Sequence, residues 1–178
     1  MYEDGGLVSQ ARSDRGAFVQ LYRRHYDEIF RYCAHRLFDR IAAEDVTSEV
    51  FLKMVEKFHS FRGTDVQFRN WLYRIATNAV NNHLRKTERR KVLIKTASEQ
   101  ASNHMGDCQE SSKGLVLLRK AMLALKPRYQ TIITLRFFEN MKLVEIAEVL
   151  GSSPGTVRSQ LTRALAKLRK KMKTDNTT

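Results

Sequence analysis

Residues 142–163 read Lys142-Leu-Val-Glu-Ile-Ala-Glu-Val-Leu-Gly-Ser-Ser-Pro-Gly-Thr-Val-Arg-Ser-Gln-Leu-Thr-Arg163. The first half places apolar residues at the i, i+3, i+4, i+7 spacing of a helix, and Gly151 suits the position after that helix, where a positive φ is cheap. Ser153 can cap a second helix, and Pro154 is tolerated in its first turn. The stretch therefore predicts a helix, a tight turn and a second helix, the arrangement of a helix-turn-helix.

The second helix of this motif has an apolar stripe and a polar, basic outer face. Val157, Leu161 and Leu165 recur every three or four residues, which turns hydroxyl, amide and guanidinium groups outward. Such groups suit phosphates and base edges in a DNA major groove. An ordinary amphipathic hairpin would give a similar periodicity, but the short Gly-Ser-Ser-Pro-Gly-Thr turn before Arg-Ser-Gln favours DNA binding. The outward residues are Thr156, Arg158, Ser159, Gln160, Thr162 and Arg163.

The charge of the chain is concentrated at the same end. The 178 residues carry a formal net charge of +13. Residues 115–178 hold 13 Lys and Arg against 4 Asp and Glu, whereas residues 1–86 hold 14 against 11. A positive field on the segment with the helix-turn-helix pattern favours nucleic acid as its partner over a merely solvated basic surface.

Other features of the sequence argue against whole classes of function. Cys33 and Cys108 fit neither a disulfide framework nor the spacing of metal ligands, so we expect no metal and no cofactor. The acidic, polar N-terminus and the short apolar runs predict a cytoplasmic protein with no signal peptide and no membrane insertion. A Walker loop, an HExxH motif and a serine elbow are all missing from the sequence, so we expect no catalytic residues and no enzyme.

The remaining periodicity predicts an all-α fold of two small helical domains joined by a flexible linker, the C-terminal domain being the helix-turn-helix. We expect the domains to span residues 12–86 and 114–173, with the linker at 87–113, where polar residues offer little to bury. In the second helix, Val55 is expected to face inward with Val46, Val50 and Met54. The predicted helices run from Ser13 or Asp14 to Leu37, then over Ile41–Phe58, Phe68–Lys86, Leu115–Leu125, Arg128–Phe138, Lys142–Leu150 and Pro154–Lys173.

Several motifs occur together in a specific order along the chain. They are Ala43-Glu-Asp-Val-Thr-Ser-Glu-Val-Phe51, Phe61-Arg-Gly63, Trp71-Leu-Tyr-Arg-Ile-Ala-Thr-Asn78, Val144-Glu-Ile-Ala-Glu-Val-Leu-Gly151 and Gly155-Thr-Val-Arg-Ser159. Each motif alone is weak, but their order and separations are specific. With them the chain resembles an extracytoplasmic-function (ECF) type sigma factor of the sigma-70 family, the small two-domain branch of bacterial sigma factors.

This resemblance implies that the 12–86 domain docks on the clamp helices of the RNA polymerase β′ subunit. The docking surface would comprise Glu44, Asp45, Ser48 and Glu49. Carboxylates on a helix face can pair with basic residues of a partner, which aids steering and register. The family usually has Gln where this chain has Ser48, and for Glu44 taken singly an ordinary solvated acidic face is an equal alternative.

The resemblance also implies that this domain holds the promoter's −10 element as a single strand, without ATP. Such binding uses cationic groups for phosphates and faces or amides for unstacked bases. The Phe61–Phe68 loop is placed where the family captures a flipped base, and Trp71 is expected to be a core anchor rather than a stacking platform. The implied strand-binding residues are Phe61, Arg62, Gly63, Asp65, Phe68, Arg74, Asn78, Asn82 and Arg85.

The 114–173 domain would, by the same resemblance, read the −35 element as duplex DNA through the six outward residues. Gln160 stands where many relatives have Arg, and Gln suits an adenine edge. The implied partners are core RNA polymerase (β′ clamp helices and β flap), promoter DNA and an anti-sigma factor, although no residue identifies the last. The alternative is a stand-alone DNA-binding regulator with a helical sensor domain, but residues 41–86 offer an acidic helix and a basic, amide-rich helix rather than a ligand pocket.

Overall fold

A computed structural model of the chain describes residues 6–97 and 113–175, and within these ranges it contains helices and no strand. The all-α prediction and the helix-turn-helix are confirmed. A short first helix was not predicted, and residues 98–112 of the predicted linker, with Cys108, lie outside the described residues. The elements are α1 Leu7–Gln10, α2 Arg15–Leu37, α3 Arg40–Phe58, α4 Asp65–Ala97, α5 Lys113–Leu123, α6 Pro127–Ile133, a π-helical turn Thr134–Phe138, α7 Leu143–Leu150 and α8 Pro154–Asp175.

Aspartate caps determine where the first long helices begin. The Asp14 carboxylate accepts hydrogen bonds from the N–H groups of Gly16 and Ala17 at 2.8 and 3.1 Å, and Asp39 accepts one from Ala42 at 3.0 Å. These bonds satisfy amides that the first turn of a helix leaves unpaired. The helices α2, α3 and α4 then pack through their apolar faces around Leu21, Ile29, Cys33, Val46, Val50, Met54, Phe68, Leu72 and Ala76.

Two details of the predicted helices were wrong. The fourth helix continues to Ala97 instead of ending near Lys86, because residues 87–97 contain neither Gly nor Pro and include several strong helix formers. It therefore occupies the first part of the predicted linker. Val55 is 53% exposed, because Met54 and Phe58 already occupy the inward side of the last turns of α3.

The C-terminal half places its helices around the helix-turn-helix. The helix α6 widens into the π-helical turn, where the Glu139 N–H donates to the Thr134 carbonyl five residues earlier at 3.2 Å. A small apolar cluster of Met122, Ile133 and Ala164 holds α5, α6 and α8 together. This packing leaves the outer side of α8 uncovered by the helices of its own half.

The two halves of the chain dock against each other. Apolar residues of the C-terminal half are buried in the same continuous core as those of α2, α3 and α4. The contacts run mainly between α4 and α7 and between α2 and the π-helical turn. The middle of α4 is therefore covered by the first helix of the helix-turn-helix. The residues that join the common core are Ile132, Leu135, Met141, Ile146, Ala147, Val149 and Val157.

Candidate nucleic-acid interface

The turn between α7 and α8 is built on a left-handed residue. Gly151 has φ 60° and ψ 45°, a conformation that is cheap for glycine. Its N–H donates to the carbonyls of Ala147 and Glu148, and the Ser152 N–H donates to Ala147 at 2.9 Å. These bonds close the end of α7 and set the direction in which the chain enters α8.

The start of α8 has the predicted cap. Ser153 Oγ accepts a hydrogen bond from the Thr156 N–H at 3.1 Å, and the two hydroxyl groups lie 2.8 Å apart. Pro154 is the first residue of the helix, where it removes no helical hydrogen bond. Val157 is fully buried and fastens the first turn to the core.

The outer face of α8 collects most of the residues predicted to bind duplex DNA. The Ser159 and Thr162 hydroxyls donate to carbonyls one turn earlier in the helix, at 3.0 and 3.2 Å, so both lie close against it. The exposed residues of the predicted set are Thr156, Arg158, Ser159, Thr162 and Arg163.

Gln160, the sixth residue of that set, lies at the edge of the face and is half-buried. Its side-chain oxygen accepts a hydrogen bond from Arg128 Nε at 2.7 Å. Arg128 belongs to α6, and one of its terminal nitrogens also lies 3.5 Å from Ser152 Oγ. Sequence reasoning missed Arg128, because its place beside α8 depends on how α6 packs.

The predicted docking surface forms one exposed side of α3. Glu44, Asp45, Ser48 and Glu49 are all exposed. Glu44 accepts a hydrogen bond from Arg40 at 3.0 Å, and Glu49 accepts one from Lys53, both at the i, i+4 spacing. Exposed pairs of this kind contribute little to stability, so the carboxylates can exchange them for a partner's cations.

Large apolar side chains lie on the same side of α3. Ile41, Leu52 and Val55 are 74%, 61% and 53% exposed. Leu52 follows Ile41 by about three helical turns and Val55 by one turn more, so all three interleave with the carboxylates, an arrangement typical of a binding surface with an apolar centre. Sequence reasoning missed Ile41 and Leu52. The sequence does indicate them, because each is an apolar residue on the side of the predicted helix that is otherwise polar.

The loop before α4 rests on a cluster of aromatic rings. The Phe61 ring is half-buried and lies 5.0 Å from the Trp71 ring and 5.5 Å from Phe68. Phe68 has no exposed surface, and its ring also packs on Phe58 at 5.9 Å. Phe68 therefore supports the loop from beneath in this conformation, and it is not accessible to a strand. Trp71 is half-buried against the core, as expected of an anchor.

Polar contacts hold the same loop in one conformation. The Asp65 carboxylate is buried and accepts a hydrogen bond from the Val8 N–H of α1 at 3.1 Å. Arg62 is exposed, and its guanidinium donates to the loop's own Phe61 carbonyl at 2.9 Å. A Cβ on Gly63 would lie 2.7 Å from the Gln67 side chain and 2.9 Å from the Phe61 ring. A larger residue at position 63 would therefore force the Gln67 side chain and the Phe61 ring to shift.

The remaining residues of the predicted strand-binding set share one exposed side of α4. Arg74, Asn78, Asn82 and Arg85 follow each other at spacings of three and four residues. Arg74 donates a hydrogen bond to the Glu148 carbonyl at the end of α7. Asn78 and Arg85 line a cavity of about 670 Å³ between α4 and the C-terminal half. The structure thus brings these side chains together, and it places part of the surface against the other half.

Polar pairs, some of them buried, join the two halves. The Tyr73 hydroxyl lies 2.8 Å from Glu139 Oε2, to which it donates, and Asn70 donates to the Glu148 carboxylate at 2.6 Å. Arg36 has 1% exposure and donates to Gln130 at 2.5 Å. Burial, with the charge of Glu139 beside it, raises the pKa of Tyr73 far above its ordinary value, so the phenol remains a hydrogen-bond donor.

Other titratable groups are shifted by burial or by neighbouring side chains. His25, whose Nδ1 lies 3.5 Å from Glu28 Oε2, and the nearby Arg69 hold the pKa of Glu28 below its ordinary value. Burial raises the pKa of Cys33 to about 11, so its thiol is protonated and unreactive at neutral pH. Across residues 6–97 and 113–175, no three His, Cys, Asp or Glu side chains group as metal ligands would. No helix in these ranges combines the length and apolar character needed to cross a bilayer.

The fold and the face of α8 define a helix-turn-helix DNA-binding protein. Residues 21–90 match the family model for sigma-70 region 2, and residues 115–168 match that for sigma-70 region 4. The chain therefore belongs to the sigma-70 family of RNA polymerase sigma factors, in its ECF branch.

Individual relatives agree with this assignment. The ECF RNA polymerase sigma factor BldN of Streptomyces coelicolor is 31% identical over 167 residues, which cover 91% of this chain and 63% of BldN. The RNA polymerase sigma factor YlaC of Bacillus subtilis is 32% identical over 166 residues, covering 89% of this chain and 93% of YlaC. The sigma factor RpoE of Bartonella quintana, solved in complex with the anti-sigma factor NepR, has a similar fold, with a TM-score of 0.69 and 23% sequence identity. The match covers 89% of this chain and 98% of RpoE.

Proposed function

We propose that this protein directs core RNA polymerase to specific promoters by dividing recognition between its two halves. The side of α3 with Asp45 and Glu49 docks on the polymerase, the face of α4 holds the −10 element as a single strand, and the face of α8 reads the −35 element as duplex DNA. The protein acts by binding, in the cytoplasm with the polymerase, and carries out no chemical step. The observation that carries the proposal is the match to regions 2 and 4 in order, with α3 and α8 both presenting exposed faces.

The composition of the α3 surface supports docking on a basic partner helix. Exposed carboxylates surround the apolar side chains of Ile41, Leu52 and Val55. Burying apolar surface contributes affinity, at about 25 cal/mol per Å² of area removed from water, while surrounding charges steer and orient the partner. This arrangement fits the β′ clamp helices better than a purely acidic face would.

The face of α4 supports binding of a separated strand. Arg74 and Arg85 can neutralise phosphates, and Asn78 and Asn82 can donate to and accept from base edges. Phe61 offers a half-buried ring at the end of this face. Arg74 donates to the Glu148 carbonyl through one terminal nitrogen, which leaves its other N–H donors available to a phosphate.

The face of α8 supports recognition of duplex DNA. The cap at Ser153 and the buried Val157 fix the first turn of the helix, from which Arg158, Ser159 and Thr162 point away from the core. Side chains at the N-terminal end of a recognition helix are the ones that reach base edges in the major groove. The flap of the β subunit is proposed as a further contact of this half.

The central test is transcription in vitro with bacterial core polymerase and genomic fragments, with and without the protein. We expect new start sites that share two sequence elements, and sequencing of the transcripts identifies both. A stand-alone regulator, the second candidate, would bind duplex DNA but would neither join core polymerase nor create start sites. Failure to bind core polymerase would therefore overturn the proposal in favour of that regulator.

The docking surface is tested by charge reversal. Asp45→Lys, alone and with Glu49→Lys, is expected to weaken binding to core polymerase while leaving the helical content unchanged. Asp27→Lys is the matched control, because it makes the same change in charge at an exposed position of α2. Leu52→Ala tests the apolar part, with Val19→Ala, at 41% exposure on α2, as its control. Equal polymerase affinity of test and control variants would show that α3 is not the docking surface.

An anti-sigma factor is proposed as a further partner. The support is that the sigma factor RpoE, which shares this fold, was solved in complex with the anti-sigma factor NepR. Co-purification from the native host, followed by restoration of transcription when the partner is removed, tests this proposal. A partner that binds without reducing transcription would contradict it.

A further inference from the structure

The pairing of Arg128 with Gln160 bears on which base the recognition helix reads, and this inference rests on the proposed function. Arg128 Nε donates to Gln160 Oε1 at 2.7 Å. Arginine has donors and no acceptor, so the amide must turn its oxygen toward Arg128. The other end of the amide, with its two N–H donors, is then the part of Gln160 that remains available to DNA.

A glutamine reads adenine through both ends of its amide. Its oxygen accepts from N6 and its nitrogen donates to N7, and this bidentate contact is the basis of the usual preference. With its oxygen held toward α6 and one of its two lone pairs engaged by Arg128, Gln160 presents chiefly its N–H donors to DNA. Guanine presents two acceptors, N7 and O6, on the same edge, and a group that presents donors matches it.

Arg128 itself adds donors to this edge of the helix. It is exposed, and besides the bond to Gln160 it makes a longer contact of 3.5 Å with Ser152 Oγ, in the turn before α8. A guanidinium has five N–H donors, so most of them stay available. Both residues belong to the C-terminal half, and their contact does not depend on how that half docks on α4.

We infer that Arg128 is a specificity-determining residue outside the recognition helix: by holding the Gln160 oxygen, it makes position 160 a reader of guanine instead of adenine. Arg128 acts here as a positioning residue, because its effect passes through the Gln160 amide. This changes the preference for adenine that the sequence suggests for Gln160.

The test measures binding of the full chain, with core polymerase, to promoter duplexes that carry each base in turn at every −35 position. Gln160→Ala identifies the base pair that Gln160 reads, as the position whose preference it removes. At that pair the unaltered protein is expected to favour guanine over adenine. Arg128→Ala should shift the ratio toward adenine by roughly tenfold, within the range that a good bidentate contact provides. Arg128→Lys, which keeps a donor for the amide oxygen, should retain the original order.

Lys126→Ala is the matched control, because it removes one exposed positive charge near the start of the same helix without touching Gln160. It should lower affinity for all duplexes together. The inference is overturned if Gln160→Ala changes no base preference, or if Arg128→Ala leaves the adenine-to-guanine ratio unchanged. A protein that distinguishes no −35 base at all would overturn the proposed function itself, and the inference with it.

Discussion

The hydrogen bond between Tyr73 and Glu139 should hold the two halves of the protein together. It joins α4 to the residue after the π-helical turn, at a distance of 2.8 Å, and both side chains are buried. Tyr73→Phe removes the hydroxyl donor, so Glu139 Oε2 loses this hydrogen bond. The other carboxylate oxygen, Oε1, has no hydrogen-bond partner, and His35 Nδ1 is 3.7 Å away. The carboxylate would then be buried without a hydrogen bond from any described side chain.

The expected cost follows from that burial. Hydrogen bonds to charged groups contribute about 1.5–3 kcal/mol to the free energy of unfolding. We therefore expect Tyr73→Phe and Glu139→Ala each to lower this free energy by about 2 kcal/mol, and the double variant to lower it by little more than either alone. Urea unfolding followed by circular dichroism and by the fluorescence of Trp71 measures all four proteins of the cycle.

Tyr32→Phe is the matched control. Its hydroxyl is equally buried and lies 2.8 Å from Thr77 Oγ1, but both residues belong to the N-terminal half. Its loss should cost about 1 kcal/mol without affecting the contact between the halves. A coupling energy between Tyr73 and Glu139 below about 0.5 kcal/mol would refute the reasoning, because residues in direct contact in a buried network couple by more than that.

Three further predictions concern single residues. Gly151→Ala should lower the free energy of unfolding by about 1–2 kcal/mol, which is the cost of a positive φ for a residue with a Cβ, since no atom lies close enough to add a clash. Gly155→Ala, in the helical first turn of α8, is the control and should not be destabilising. Urea unfolding measures both variants. With its pKa raised to about 11, Cys33 should resist alkylation at pH 8 in a Cys108→Ser background and react once urea unfolds the chain, and equal rates in both states would contradict its burial. The lowered pKa of Glu28 stabilises the folded protein above pH 4.5, the ordinary pKa of a glutamate, and this stability is lost as the pH falls through the folded-state pKa. Glu28→Gln should therefore make the stability measured by thermal melts less dependent on pH in the acid range. An unchanged pH dependence would contradict this.

The sequence was sufficient for most of the helices and for the helix-turn-helix, but not for the short α1. Helical periodicity, the cap at Ser153 and the left-handed position of Gly151 depend on residues a few positions apart, and the structure agrees with each of them. The exposed face of α8 could be predicted for the same reason. The end of α4 could not, because residues 87–97 contain no local stop signal and polarity alone suggested a linker.

Other features depend on which distant segments meet. Phe68 is buried under the loop, in contact with the rings of Phe58 and Phe61. The neighbouring sequence alone does not distinguish a buried ring of this kind from one that stacks on a base. The exposure of Leu52 follows from how α3 lies on its neighbours. The first placement removes Phe68 from the accessible strand-binding residues, and the second adds an apolar residue to the docking surface.

Local spacing along the chain was therefore enough to specify the helices, the turn and the sign of the charge on each face, because those properties are set within a few residues. Packing between segments far apart in the chain decided two other features. These are the contact of α7 with α4 through Glu148 and Arg74, and the hydrogen bond from Arg128 to Gln160. Their contacts span 74 and 32 residues, and whether such groups meet depends on the burial of the whole apolar core rather than on any neighbouring residue.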